Sequence, residues 1–163
     1  MVANTHKETI ELLKKEGDIA LNYFDLHKEQ YPLILAVYKG WNHKNKETSQ
    51  KEIILLLLSR SDLDINVFEL QYGYTALHIA CLKGDYIELV KLLLEKGADK
   101  NKKSLKDELP VDLLNVSYEE VQKILIRLTC FNTTIKFDEN HTCTLCSLEE
   151  RSNNIKEIRD LLI

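Results

Sequence analysis

No stretch of the 163-residue sequence approaches the roughly 20 apolar residues that a bilayer-spanning helix needs. The longest apolar run, Ile53 to Leu58, suits a buried or amphipathic helix. The N-terminus, Met-Val-Ala-Asn-Thr-His-Lys-Glu, lacks the basic region and apolar stretch of a secretory signal. Without such a signal, the Asn-x-Ser/Thr triplets at Asn115, Asn132 and Asn140 read as chance, and the four cysteines read as reduced thiols in a cytoplasmic protein. Glycine is scarce, at five residues, and each glycine is explicable as a helix stop or a turn. There is no phosphate-cradling glycine loop, no Gly-x-Ser-x-Gly elbow and no His-Glu-x-x-His. The carboxylates fall at helix starts and in loops, where they cap and solvate rather than form an acid/base pair. An enzyme is not expected. Nor is a nucleic-acid binder: the net charge is −4, and the one local basic patch, Lys102, Lys103 and Lys106, reads as a solvated loop.

What the chain does have is concentrated between Thr75 and Asn101. Thr75 can cap a first helix with apolar positions Leu77, Ile79, Ala80 and Leu82. Gly84 ends it, since a residue just past a helix often takes the left-handed conformation that costs glycine least. Asp85-x-x-Glu88 opens a second helix with a capping-box pattern, and Ile87, Val90, Leu93 and Leu94 give it one apolar face. Neither helix is long enough to stand alone in water. Such a unit has to be stacked on copies of itself.

The stretch T-A-L-H-x-A-C-x-x-G-D-x-x-x-L-V-x-x-L-L-x-x-G-A-D-x-N resembles an ankyrin repeat over its whole length, with Ala76 where the family usually has proline. The resemblance implies a helix-turn-helix followed by a hairpin-like loop, and a protein-binding role. Copies are present. A shift of 44 residues lays Asn22-Tyr-Phe24-Asp-Leu26 over Asn66-Val-Phe68-Glu-Leu70, and Leu33, Ala36, Lys39 and Gly40 over Leu77, Ala80, Lys83 and Gly84. A shift of 34 lays Leu109-Pro110-Val111-Asp112-Leu113 over Thr75-Ala76-Leu77-His78-Ile79. A further 34 brings Leu145 and Cys146 onto Leu77 and His78, and Ile155, Ile158, Leu161 and Leu162 onto Ile87, Val90, Leu93 and Leu94. The period is near the roughly 33 residues of an ankyrin unit, with one enlarged copy.

Helix starts give the same count. Thr5, Ser49, Asp85, Ser117 and Asn154 each stand three residues before a glutamate at the head of an apolar-periodic segment. Five outer helices follow, with inner helices between them near 31–39, 75–83, 109–114 and 143–150. The expected fold is all-α, an ankyrin-repeat solenoid with a leading helix and about four helix pairs joined by hairpin-like loops. It fills residues 1–163 as a single domain: a half repeat at 1–22, then 23–66 with an insertion at 41–50, 67–101, 102–135 and 136–163. The insertion lies between Gly40 and Glu52, which are eight residues further apart than Gly84 and Glu88. The final outer helix stops at Ile163, either as a minimal cap or because the chain is a fragment of a longer protein.

Thr75 and His78 match the family's internal hydrogen-bonding pair, which ties the inner helix to loop backbone. His6, His27, His43 and His141 share no spacing and read as surface residues. His141-x-Cys143-x-x-Cys146 is the one metal-like cluster, with Cys130 as a fourth ligand in principle. The repeat register puts Cys143 and Cys146 on an inner helix as buried thiols, so no metal and no cofactor are expected; Cys81 reads as a packing residue.

In ankyrin-like arrays the hairpin tips and inner helices line a concave face on which partners bind. Carried onto this sequence, that face comprises Phe68, Gln71, Tyr72, Tyr74, Leu82 and Lys83, and one repeat earlier Phe24, His27, Lys28, Gln30, Tyr38 and Lys39. Trp41 lies just beyond, in the insertion. Tyr38, Trp41, Tyr72 and Tyr74 are favoured as exposed aromatic anchors. Phe24 and Phe68 stand between binding and packing, because with Leu26 and Leu70 they recur as packed hairpins require. The expected function is a non-enzymatic, monomeric module binding a partner protein, with no nucleic acid and no membrane. A bias toward Lys, Asn and Ile suggests an AT-rich genome, hence a pathogen or symbiont effector, while an inhibitor or immunity protein fits equally. Two alternatives stay open: the N-terminal recognition domain of a larger enzyme, and a zinc-stabilised interaction module.

Overall fold

The computed structural model describes residues 32–39, 48–84, 86–129 and 148–163. The expected leading helix, Trp41, Asp85 and the His141/Cys143/Cys146 cluster with Cys130 lie outside these residues. The described elements are α1 (Pro32–Lys39), α2 (Thr48–Ser59), α3 (Ala76–Lys83), α4 (Ile87–Glu95), a 3-10 helix (Pro110–Asn115), α5 (Tyr118–Thr129) and α6 (Leu148–Leu162). Among the described residues the only extended pairing is an isolated antiparallel bridge between Phe68 and Thr75. The fold is all-α and matches an ankyrin solenoid.

Two layers result. The inner row runs α1, α3, 3-10 helix, each packed on the next; α2 backs α1 and α4 backs α3. Leu33, Ile34 and Val37 of α1, Leu77, Ile79 and Ala80 of α3, and Leu113 and Leu114 of the 3-10 helix are all buried in one continuous core. Full burial of each such leucine or isoleucine contributes about 1.5–3 kcal/mol, which is what makes eight-residue helices viable here. The stops and starts around α3 follow the sequence closely. Thr75 Oγ1 accepts from the His78 backbone N–H, and Gly84 sits at φ 65°, left-handed. The buried Cys81 thiol is a packing group, pushed up in pKa by that burial.

Loop chemistry repeats with the helices. In both Asp64-x-Asn66 and Asp99-x-Asn101 the aspartate side chain accepts from the asparagine N–H two residues on, at 2.9 and 2.8 Å. Asn66 also reaches the next loop, where its amide oxygen accepts from Asp99 N–H at 2.8 Å.

The C-terminal part departs from expectation. The inner helix expected near 109–114 is a 3-10 turn. Ser117 does cap α5, accepting from Glu120 N–H at 3.3 Å. However, the helix that packs along α4, and on the 3-10 helix, is α6. A break was expected between an inner helix ending at 150 and an outer one opening at Asn154. Instead Leu148–Leu162 is one helix with Asn154 in its middle. The segment has neither glycine nor proline to stop it, and Arg151, Ile155, Ile158 and Leu162 form one stripe turned inward. α5 buries Val121, Ile124, Leu125 and Leu128 and touches the other end of the array, where Tyr38 Oη donates to the Leu125 carbonyl at 3.1 Å.

Candidate functional site

Two consecutive hairpins form the most exposed apolar edge of the described structure. In the first, the Phe68–Thr75 bridge is closed by Glu69 N–H to Tyr74 O and Gly73 N–H to Glu69 O, both 3.0 Å. The Glu69 side chain is turned inward and buried. Its carboxylate accepts from the N–H groups of Gln71 at 2.6 Å, Tyr72 at 2.8 Å and Tyr74 at 2.9 Å. Three otherwise orphaned donors are thereby satisfied, and the tip Leu70-Gln71 is held facing water.

Gly73 is the turn residue, at φ 75°, and the next hairpin lies directly on it. A Cβ there would stand 2.7 Å from Leu105 N and 2.8 Å from Leu105 Cγ. The hairpins are joined edge to edge by Leu105 N–H to Tyr72 O at 2.8 Å. In the second hairpin Ser104 does the work of Glu69, its hydroxyl accepting from Lys106 and Glu108 N–H at 3.2 Å. Asp107 takes the left-handed position at φ 65°.

Behind the edge runs a stacked column. Tyr72 and Tyr74 rings lie 5.2 Å apart and 14° from parallel; Tyr74 and His78 follow at 5.5 Å and 15°. Tyr74 Oη donates to the Glu108 carboxylate at 3.0 Å. Burial, with that carboxylate beside it, holds the Tyr74 hydroxyl protonated well above the ordinary tyrosine range. Backbone geometry fixes the state of His78. Thr75 N–H can only donate, and it points at Nδ1 from 3.2 Å, so Nδ1 is an acceptor and Nε2 donates to the Glu108 carbonyl at 3.2 Å. Burial pushes the imidazole pKa down, against the opposing pull of Glu108, which agrees with a neutral ring. The pair ties the start of α3 to the second hairpin.

The structure redistributes the expected binding face. Phe68 and Gln71 are exposed, as that face requires. Tyr72 and Tyr74 are not: the second hairpin covers them, and Tyr74 has no exposed surface. Leu82 and Lys83 are buried as well, because other chain segments converge on the end of α3. Lys83 Nζ donates to the Tyr38 carbonyl at 2.9 Å, and Arg151 of α6 donates to the Lys83 and Leu82 carbonyls at 3.4 Å. Tyr38 is half-buried with its hydroxyl engaged. The Lys39 side chain and Trp41 lie outside the described residues. Two exposed residues were missed. Leu70, read as a packing residue, is 57 % exposed, and Leu105 is 66 % exposed, beside Phe68 at 39 %. Lys102 Nζ stands 5.5 Å from the Phe68 ring centroid and Lys106 Nζ 5.0 Å from that of Tyr72. An apolar residue flanked by lysines in a loop, as Leu105 is, was the signal.

A family model described as ankyrin repeats, in three copies, matches residues 1–104. Among curated proteins none matches the chain. The family match covers more than half of the chain and takes in α1 to α4 and the first hairpin. The chain therefore belongs to the ankyrin-repeat family, whose repeats are in general protein–protein interaction modules and typically not enzymes.

Proposed function

We propose that the protein is a non-enzymatic binding module that takes a partner protein on its hairpin edge, at Phe68, Leu70, Gln71 and Leu105. The observation that carries this reading is the exposure of three large apolar side chains on a rigidly tied pair of hairpins. Large apolar side chains left exposed on two hairpins that are hydrogen-bonded edge to edge suit an interaction site. The inner-helix half of the expected concave face drops out, since Leu82 and Lys83 are covered. The module acts as a monomer in the cytoplasm, and a composition rich in Lys, Asn and Ile favours a host-associated source, with a host protein as partner. The test is capture of partners by the wild type, by Leu70→Ser with Leu105→Ser, and by Leu55→Ser, which changes an exposed leucine on α2 instead. The double variant should lose the partner at unchanged helical content while the α2 variant retains it. Equal capture by all three overturns the reading.

A further inference from the structure

The charge on the hairpin edge is one-sided, although the chain as a whole is acidic at −4. Both glutamates of the edge are turned in and occupied. Glu69 takes backbone N–H groups, and Glu108 takes the hydroxyls of Tyr74 and Ser104, at 3.0 and 3.2 Å. What faces water at 102–107 is three lysines against one carboxylate, and that carboxylate, Asp107, is paired with Lys103 at 2.7 Å. Lys102 and Lys106 have no ion pair among the described residues. They are held instead over aromatic rings of the neighbouring hairpin.

From this we infer that the edge is built for an acidic segment of a partner protein in which carboxylates alternate with apolar side chains. The inference rests on the protein-binding reading above and adds the chemistry of the partner. Leu70, Leu105 and the open part of Phe68 receive apolar groups, and Lys102 and Lys106 receive carboxylates. A cation held over a ring has already lost part of its rotamer freedom, so less is lost again when a carboxylate arrives. A basic segment would meet the same two ammonium groups and be repelled. A nucleic acid fits less well. Its phosphates would suit the lysines, but the edge's one partly open ring, Phe68, already has Lys102 over it, Leu70 and Leu105 give a base nothing to stack on, and the edge carries no arginine.

The test uses the whole chain and four defined probes: short labelled peptides of alternating Glu and Leu, Lys and Leu, or Gln and Leu, and a single-stranded oligonucleotide. Affinity is read by anisotropy at low and moderate salt, and the contact site by amide shifts of Phe68, Leu70 and Leu105. The acidic peptide should bind about tenfold more tightly than the neutral one, lose that advantage as salt rises, and shift those amides. Lys102→Glu with Lys106→Glu should abolish the advantage. Lys123→Glu with Lys156→Glu, an equal charge change elsewhere, should leave it intact. Equal or tighter binding of the basic peptide or the oligonucleotide overturns the inference, as does shift of other amides or no binding at all. Neutral and acidic peptides binding equally at the same amides overturns the acidic partner alone and leaves the protein-binding reading standing.

Discussion

The segments 68–82 and 102–116 run in one register, 34 residues apart, each a hairpin leading into a short inner helix, with different side chains. Gly73 and Asp107 both supply the left-handed turn. Thr75 N–H donates to the His78 side chain at 3.2 Å, and Leu109 N–H donates to the Asp112 side chain at 2.8 Å, so an imidazole and a carboxylate cap the same position. The difference lies in what reaches outward. Tyr74 and His78 both bond to Glu108 in the following hairpin, whereas the Asp112 side chain, among the described residues, bonds within its own turn. The first copy also ends on a left-handed glycine, Gly84, after eight helical residues; the second ends two positions earlier in the register, on Val116 in extended conformation, after six residues of 3-10 helix. A few local positions set the backbone path. The cross-links and the stop signal decide how regular the helix becomes.

Substitutions at matched positions test this contrast. Gly73→Ala carries the largest expected loss, about 2–5 kcal/mol in denaturant unfolding, because left-handed strain adds to a clash with Leu105 backbone. A loss below about 1 kcal/mol would show that the hairpins slide apart freely. Glu69→Ala comes next, at about 2–3 kcal/mol, since it leaves three backbone N–H groups without their acceptor. Its counterpart Ser104→Ala should cost only about 1 kcal/mol, and equal costs would break the asymmetry. A pH effect of His78 follows. Its folded pKa lies below the ordinary 6.5, so the unfolded chain binds the proton first. The contribution is complete above about 6.5 and is lost as pH falls toward the lower folded value. Wild type should therefore lose thermal stability relative to His78→Gln between pH 7 and 5; parallel curves would contradict the neutral, buried ring. Smallest is Asp107→Gly. Relief of a left-handed aspartate roughly offsets the added freedom of the unfolded chain, leaving a change within about 0.5 kcal/mol, opposite in scale to Gly73→Ala.

Where the signals were local, the sequence was readable. The Thr75 cap, the Gly84 stop and the Ser117 cap all rest on residues within about one turn of each other. The C-terminal helix was misread for a related reason. Asn154-x-x-Glu157 has the spacing of a helix start, but nothing before it ends the helix already running from Leu148. The exposure of the expected face depends on distant parts of the chain. Tyr72 and Tyr74 look like interface aromatics by type, yet their burial is decided by a hairpin some thirty residues downstream. Lys83 and Leu82 are covered by Tyr38 and Arg151, from opposite ends of the chain. Leu70 stands at the turn itself, where repetition between copies signals shape and not packing.

The position of α6 bears on how the protein is made. Its Arg151 guanidinium is buried against the carbonyls of Leu82, Lys83 and Val116, and Lys91 on α4 pairs with Glu157 at 2.8 Å. The face of α4 that receives it is synthesised well before residues 148–162 emerge from the ribosome. Until they do, the earlier repeats carry an uncovered apolar flank and helix-end carbonyls without their donor. A nascent chain stalled in that interval is a natural substrate for chaperones and proteases. The segment that covers α4 and the end of α3 is thus one translated some fifty residues after them.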